Sequence, residues 1–204
     1  MIKGYYFITD AGISKNGNAS DVRAAIDTGV TVVQYRSKLD STEHMIKEAK
    51  ELKRICAGKA SFIINDRVGI CLSVDADGVH LGQGDMSYET ARDLLGRDKI
   101  IGVTVHDLKE AVVAEKKGAG YLGVSPIFAT ATKGDAGRPC GAALIKEIKK
   151  ACRVPVTAIG GIDLDNAKEV IDAGTDAICA ISAVITKDDV KGEIEKFQAL
   201  FKQR

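Results

Sequence analysis

Short β-rich runs recur eight times along the 204 residues, each leading into a polar loop and usually an amphipathic stretch closed by glycine. The runs are YYFITD (5–10), VTVVQYR (30–36), SFIIND (61–66), GVHLG (78–82), IIGVTV (100–105), YLGVSPIF (121–128), PVTAIGG (155–161) and DAICAIS (176–182). Helical stretches between them are DVRAAIDTG, STEHMIKEAKELKRICAG, SYETARDLLG, DLKEAVVAEKKG, GAALIKEIKKAC and DLDNAKEVIDAG. Ser20, Asp40 or Ser41, Ser87, Asp107 and Asp163 are the expected N-caps. Gly96, Gly118 and Gly174 are the expected C-caps. Alternation this frequent implies parallel strands joined by helical crossovers. An open doubly wound sheet usually reuses fewer units and starts with a G-x-G-x-x-G turn. Here the first run is followed by DAGISKNGNAS, which lacks it. The expected fold is therefore a single-domain (β/α)₈ TIM barrel over residues 1–204, with an open α/β sheet as the alternative.

Composition narrows the function. Net charge is +1, so nothing global points to nucleic acid or an acidic membrane surface, and any anion site must be locally charged. No apolar run approaches the ~18 residues of a membrane span. The opening MIKGYYFITDAG is cut short by Asp10 and reads as a first core strand, not a secretory segment. The five cysteines (Cys56, Cys71, Cys140, Cys152, Cys179) are scattered and odd in number. They read as free thiols in a reducing cytoplasm.

In such a barrel the chemistry sits where strands exit at their C-terminal ends. The second exit, VVQYRSK, places Gln34, Arg36 and Lys38 on one face by period two. That face is either the mouth of the barrel or a solvated outer edge. The third exit supplies Asn65 and Asp66, and the loop after the fourth supplies Asp85. Parallel strands lie ~4.8 Å apart, so carboxylates leaving neighbouring strands can share one Mg²⁺ beside the cations. Taken singly, Asp66 and Asp85 read better as ordinary loop or capping carboxylates; together, on adjacent exits beside cations, they favour the metal.

Thr104 and His106 share parity at the fifth exit. His106 reads as an acid–base residue or as a helix-opening cap, while His80 and His44 read as structural. The sixth exit runs into SPIFATATKGDAGRPCG, where the Thr130 and Thr132 hydroxyls and Lys133 suit an oxyanion. Gly160 and Gly161 at the seventh exit leave backbone N–H groups unshielded by a Cβ. Ile181 and Ser182 follow at the eighth, the usual region of a phosphate cradle in this fold. Early exits thus suit a metal-bound diphosphate and late exits a monophosphate.

The segments YFITD, VQYRSK, FIINDR, DGVHLGQGD, IGVTVH, GVSPIFATATK, AIGGI and ISAV occur in this order, and in this the chain resembles the thiamine-phosphate synthase family over nearly its whole length. The resemblance implies a barrel that couples 4-amino-2-methyl-5-hydroxymethylpyrimidine diphosphate to a thiazole phosphate, with Mg²⁺ as cofactor and release of pyrophosphate. Carried over by motif, Gln34, Arg36, Lys38, Asn65 and Thr104 would hold the pyrimidine diphosphate, with Tyr35 and Ser37 in the same segment. Asp66 and Asp85 would bind Mg²⁺. Thr130, Ala131, Thr132, Gly161, Ile181 and Ser182 would hold the thiazole phosphate, and Lys133 the diphosphate. Arg36, Lys38, Lys133 and Thr104 would carry the catalysis.

Tyr35 stands where the family commonly has leucine and Ala129 where it has proline; neither removes a charged ligand. The rival readings are a thiazole tautomerase, which needs only the monophosphate half, and a barrel that binds a phosphorylated metabolite without turnover. The segment KGDAGRPCG is glycine-rich enough for a lid, but composition does not show motion.

Overall fold

A computed structural model describes residues 2–38, 41–130 and 137–202. The strands are β1 (Gly4–Tyr5), β2 (Phe7–Ile8), β3 (Val32–Tyr35), β4 (Ser61–Asn65), β5 (Gly78–Leu81), β6 (Ile100–Val105), β7 (Tyr121–Val124), β8 (Val156–Ile159) and β9 (Ala177–Cys179). They form one parallel sheet in the order β1-β9-β8-β7-β6-β5-β4-β3-β2. Because β1 and β2 are consecutive pieces of the first run, split only at Tyr6, the sheet closes on itself. The closed barrel, and not the open sheet, is the architecture.

Period-two alternation divides the strands between two cores. Outward residues such as Tyr5, Phe7, Val33, Tyr35, Phe62, Ile64, Val79, Ile101, Leu122, Val156 and Ile178 are buried under the helices. Inward residues, among them Tyr6, Ile8, Val32, Ile63, Tyr121, Ala177 and Cys179, fill the barrel. Strands buried on both faces read as continuous apolar runs, which is why the exits alone stand out as polar.

The helices are α1 (Asn18–Asp27), α2 (Thr42–Cys56), α3 (Val68–Ser73), α4 (Tyr88–Leu95), α5 (Leu108–Lys117), α6 (Ala143–Ala151), α7 (Ala167–Asp172), α8 (Ile181–Ile185) and α9 (Val190–Lys202). In α2, Met45, Ala49, Leu52 and Cys56 are buried at helical spacing, and the Ser41 hydroxyl accepts from the His44 N–H. Ser87 and Asp107 cap α4 and α5 in the same way, and α5 closes on Gly118 in the left-handed region.

Other boundaries differ from expectation. Helix α1 starts before Ser20, at a Gly17 N-cap without a side-chain bond. Asp163 accepts from the N–H groups of Asp165 and Asn166, and so closes a turn ahead of α7. The last strand stops at Cys179, and Ile181 and Ser182 already belong to α8. Helices α3, α8 and α9 were not among the expected stretches. No helix among the described residues is long and apolar enough to cross a membrane.

Candidate active site

Two cavities open at the C-terminal ends of the strands. The inner one, about 110 Å³, is lined by Tyr6, Gln34, His80, Thr130, Gly161 and Ser182, among others. The outer one, about 1290 Å³, is lined by Ser37, Lys38, Asp66, Asp85, Gln83 and Met86, among others. Arg36, Asn65, Thr104 and His106 line both, so one shared wall joins the two halves read from the sequence.

Arg36 is the best-anchored charge. The parallel pairing of β2 with β3 brings Ile8 beside Gln34, and so Asp10 beside Arg36. The Arg36 Nη1 donates to Asp10 Oδ2, and its backbone N–H donates to Thr9 Oγ1 at 3.0 Å. Arg36 is only 7% exposed, yet its Nη2 has no hydrogen-bond partner among the described residues. A buried guanidinium with one donor unmet is a strong draw for an anion. Asp10, which holds this geometry, was missed as a site residue. The signal was there, since it ends the strand adjacent to the one carrying Arg36.

Asp66 has φ +62°, in the left-handed region that a non-glycine residue rarely occupies. Its N–H donates to the His80 carbonyl at 2.8 Å, tying the exit of β4 to β5. The Gly82 N–H donates to Asp85 Oδ2 at 2.7 Å, which fixes the second carboxylate on the next exit. The described residues contain no group of three or more His, Cys, Asp or Glu that could hold a metal ion. Two carboxylates on one cavity wall are the acidic resource of this mouth.

On the other side, Gly161 has φ +65°, and a Cβ there would lie 2.4 Å from the Ala129 carbonyl oxygen. Only glycine fits. This keeps the backbone of the β8 exit bare where Thr130, Ile181 and Ser182 meet it.

His106 opens α5 at the shared wall, with its Nδ1 3.0 Å from Glu110 Oε2. Its place fits both roles left open by the sequence. The Tyr35 side chain does not join its neighbours at the mouth. It faces the helices, fully buried, and donates to Glu48 Oε2 at 2.7 Å. Period two requires this, because Tyr35 lies between Gln34 and Arg36. Ala131, Thr132 and Lys133 lie outside the described residues.

The floor of the inner cavity was not foreseen. Tyr6, Tyr121, His80, Thr157 and Gly123 line it from three different strands and the break in the first run. Strand parity was the available signal, because each faces inward.

A closed parallel barrel with a bare-backbone cradle and an under-satisfied buried arginine at one mouth defines a phosphate-handling (β/α)₈ enzyme. The family described as thiamine monophosphate synthase matches residues 5–184, and the chain belongs to that family. A thiamine-phosphate synthase of Methanosarcina barkeri is 55% identical over 193 residues, covering 95% of this chain and 88% of the relative. One of Chloroflexus aurantiacus is 48% identical over 198 residues, covering 96% and 91%. The solved structure of a thiamine phosphate pyrophosphorylase from Pyrococcus furiosus superposes with a TM-score of 0.89 at 38% identity, covering 99% of this chain and 97% of that one. The reaction is the family's, a transfer that forms thiamine phosphate and releases pyrophosphate. The tautomerase and non-catalytic readings are not favoured.

Proposed function

We propose that the joined cavities hold both substrates of this transfer within one catalytic domain. The diphosphate of the aminopyrimidine lies in the outer cavity against Arg36, Lys38 and Asn65, with Ser37 beside them, and Lys133 is the further cation assigned to it by the family's motif. Its ring lies over Gln34 and Thr104. The thiazole phosphate is held by Thr130, Thr132, Gly161, Ile181 and Ser182, with Ala131 in the same segment as the two threonines, while the Tyr35 side chain, bonded to Glu48, leaves the diphosphate to its neighbours Gln34 and Arg36. The observation that carries this reading is the shared wall of Arg36, Asn65, Thr104 and His106.

A Mg²⁺ ion fits the residues present. Asp66 and Asp85 line the same cavity as Arg36 and Lys38. Magnesium is commonly held by one or two carboxylates, with waters and substrate phosphates completing its shell. Bound there, it would neutralise charge on the diphosphate.

The protein's own contribution follows from the geometry. As the C–O bond between the pyrimidine methylene and the diphosphate breaks, its electron pair leaves with the diphosphate. Arg36 Nη2, pre-set by Asp10 and lacking a partner, donates to the oxygens that gain this charge. The electron-rich aminopyrimidine stabilises the methylene cation. The thiazole nitrogen then supplies a lone pair to form the C–N bond. No side-chain nucleophile is needed, only two aligned partners.

All five cysteines are free thiols, which supports a cytoplasmic location. The near-zero net charge supports small-molecule substrates and neither nucleic acid nor membrane as partners. The test is to incubate the protein with both substrates, with and without Mg²⁺, and follow thiamine phosphate and pyrophosphate. One of each per turnover is expected, and only with the metal. An undiminished rate after metal removal would eliminate the role given to Asp66 and Asp85.

A further inference from the structure

A continuous hydrogen-bonded chain crosses the inside of the barrel beneath the site. Gln34 Nε2 donates to Tyr6 Oη at 2.8 Å. Tyr6 Oη and Tyr121 Oη are 2.7 Å apart, and Tyr121 Oη is 2.9 Å from His80 Nδ1. His80 Nε2 is 2.8 Å from Thr104 Oγ1. Five side chains from five strands or strand ends are therefore linked in one file, and both ends line the inner cavity.

Space is reserved for it. A Cβ on Gly102 would lie 2.1 Å from Tyr121 Cζ, and one on Gly123 would lie 2.9 Å from His80 Cε1. The two rings stack with centroids 5.3 Å apart. Burial holds both phenols well above their ordinary pKa, so both keep their protons.

Proton counting gives the chain a direction. Tyr6 Oη already accepts from the Gln34 amide, so its own proton goes to Tyr121. The Tyr121 proton goes to His80 Nδ1. The imidazole proton must then sit on Nε2 and point at Thr104 Oγ1. Among the described residues Thr104, having accepted, has only the cavity left for its hydroxyl proton. The reverse order would leave the Tyr6 proton facing an amide that is itself a donor.

We infer that His80 is a positioning residue: through the file Gln34–Tyr6–Tyr121–His80 it fixes Thr104 as a hydrogen-bond donor toward a ring-nitrogen lone pair of the aminopyrimidine. Thr104 stands on the wall the two cavities share, and His80, which lines the inner one alone, holds its hydroxyl from that side, where the ring is placed over Gln34 and Thr104. The inference rests on the substrate placement proposed above.

The first test needs no substrate. Long-range ¹H–¹⁵N correlation spectra of the labelled wild-type protein report the tautomer of each of its three histidines. The Nε2–H form is expected for His80; an Nδ1–H or imidazolium pattern overturns the inference. The second test is a double-mutant cycle. Thr104→Val and His80→Leu should each raise KM for the pyrimidine diphosphate about tenfold, the weight of one hydrogen bond. The double variant should be no worse than Thr104→Val, and Thr104→Ser should restore wild-type KM. Additive effects would make His80 merely structural and overturn the inference. So would an equal weakening of inhibition by inorganic pyrophosphate in Thr104→Val, which would place the donor on the diphosphate. A wild-type protein that made no thiamine phosphate would instead fail the substrate placement, leaving the tautomer result to stand by itself.

Discussion

The two sides of the mouth are built from different material. On the β3–β5 side the polar atoms that line the cavity belong to charged side chains: Arg36 propped by Asp10, Lys38, and the carboxylates of Asp66 and Asp85. On the β8–α8 side they belong to bare backbone and short hydroxyls around Gly161, Thr130 and Ser182. The first side concentrates charge and depends on chemistry at single atoms. The second depends on shape, because its backbone path is open only without a Cβ. Substitutions on the two sides should therefore fail differently: one side in turnover, the other in affinity for one substrate.

The sharpest break is expected at Asp66. Asparagine tolerates the left-handed region, so Asp66→Asn keeps the φ of +62° while halving the carboxylate's donor capacity and removing its charge. Turnover should fall roughly 100-fold or more, the scale of losing a metal ligand, with the thermal midpoint nearly unchanged. A thermal shift measured with added Mg²⁺ should shrink in the same variant. A near-normal rate would move the metal away from this exit.

Next in size is Arg36→Lys. Lysine keeps the charge but cannot bond Asp10 and still offer a second, fixed donor. A loss of about 10–100-fold in turnover is expected, the weight of a charge-assisted hydrogen bond. The KM for the thiazole phosphate should stay put. If that KM moved as well, the two sides would not be separable and the comparison would fail.

Gly161→Ala probes the other side. The new Cβ would meet the Ala129 oxygen at 2.4 Å and Phe128 Cβ at 2.8 Å, at a φ that costs an L-residue about 1–2 kcal/mol. The thiazole phosphate KM should rise about tenfold, and the protein should melt earlier. The pyrimidine diphosphate KM should hold. Steady-state kinetics with each substrate varied in turn decide it.

The charged side was legible in the sequence because its residues sit at strand ends, where parity alone predicts direction. Gln34 and Arg36 point inward as expected, and the same rule placed Tyr35 outward against the family's segment. The inner floor was harder. Tyr6, His80 and Tyr121 are up to 115 residues apart, and each alone reads as core. Only closure of the barrel, which joins β1 to β9, puts them in one file. Helix α9 carries Val190, Ile194 and Phe197 at helical spacing, but it follows the last strand, so no strand–helix alternation announces it. Helix α3, with six residues, is too short to show a period.

The smallest effect should come from outside the mouth, and it serves as the control for the comparison. Asp21 is nearly fully buried in α1, accepts from the Ser14 hydroxyl at 2.6 Å, and has Oδ1 without a partner among the described residues. Burial raises its pKa, more than the Ser14 and Asn16 hydrogen bonds lower it. A group whose folded pKa lies above the unfolded value stabilises the fold fully below the unfolded value of about 3.9, and that stabilisation is lost as pH rises through the folded pKa. At neutral pH the ionised carboxylate is therefore a burden. Asp21→Asn mimics the protonated acid, so the variant should match wild type in acid and gain on it as pH rises, levelling off above the folded pKa. The gain at pH 7 should stay under about 1 kcal/mol, since a charge in the first turn of a helix is favoured by its dipole. Asp21 lines neither cavity, so turnover should not change. Denaturant melts across pH, paired with rate measurements, give both readings. A rate change here would mean that sensitivity is not confined to the mouth, and the contrast between its two sides would lose its baseline.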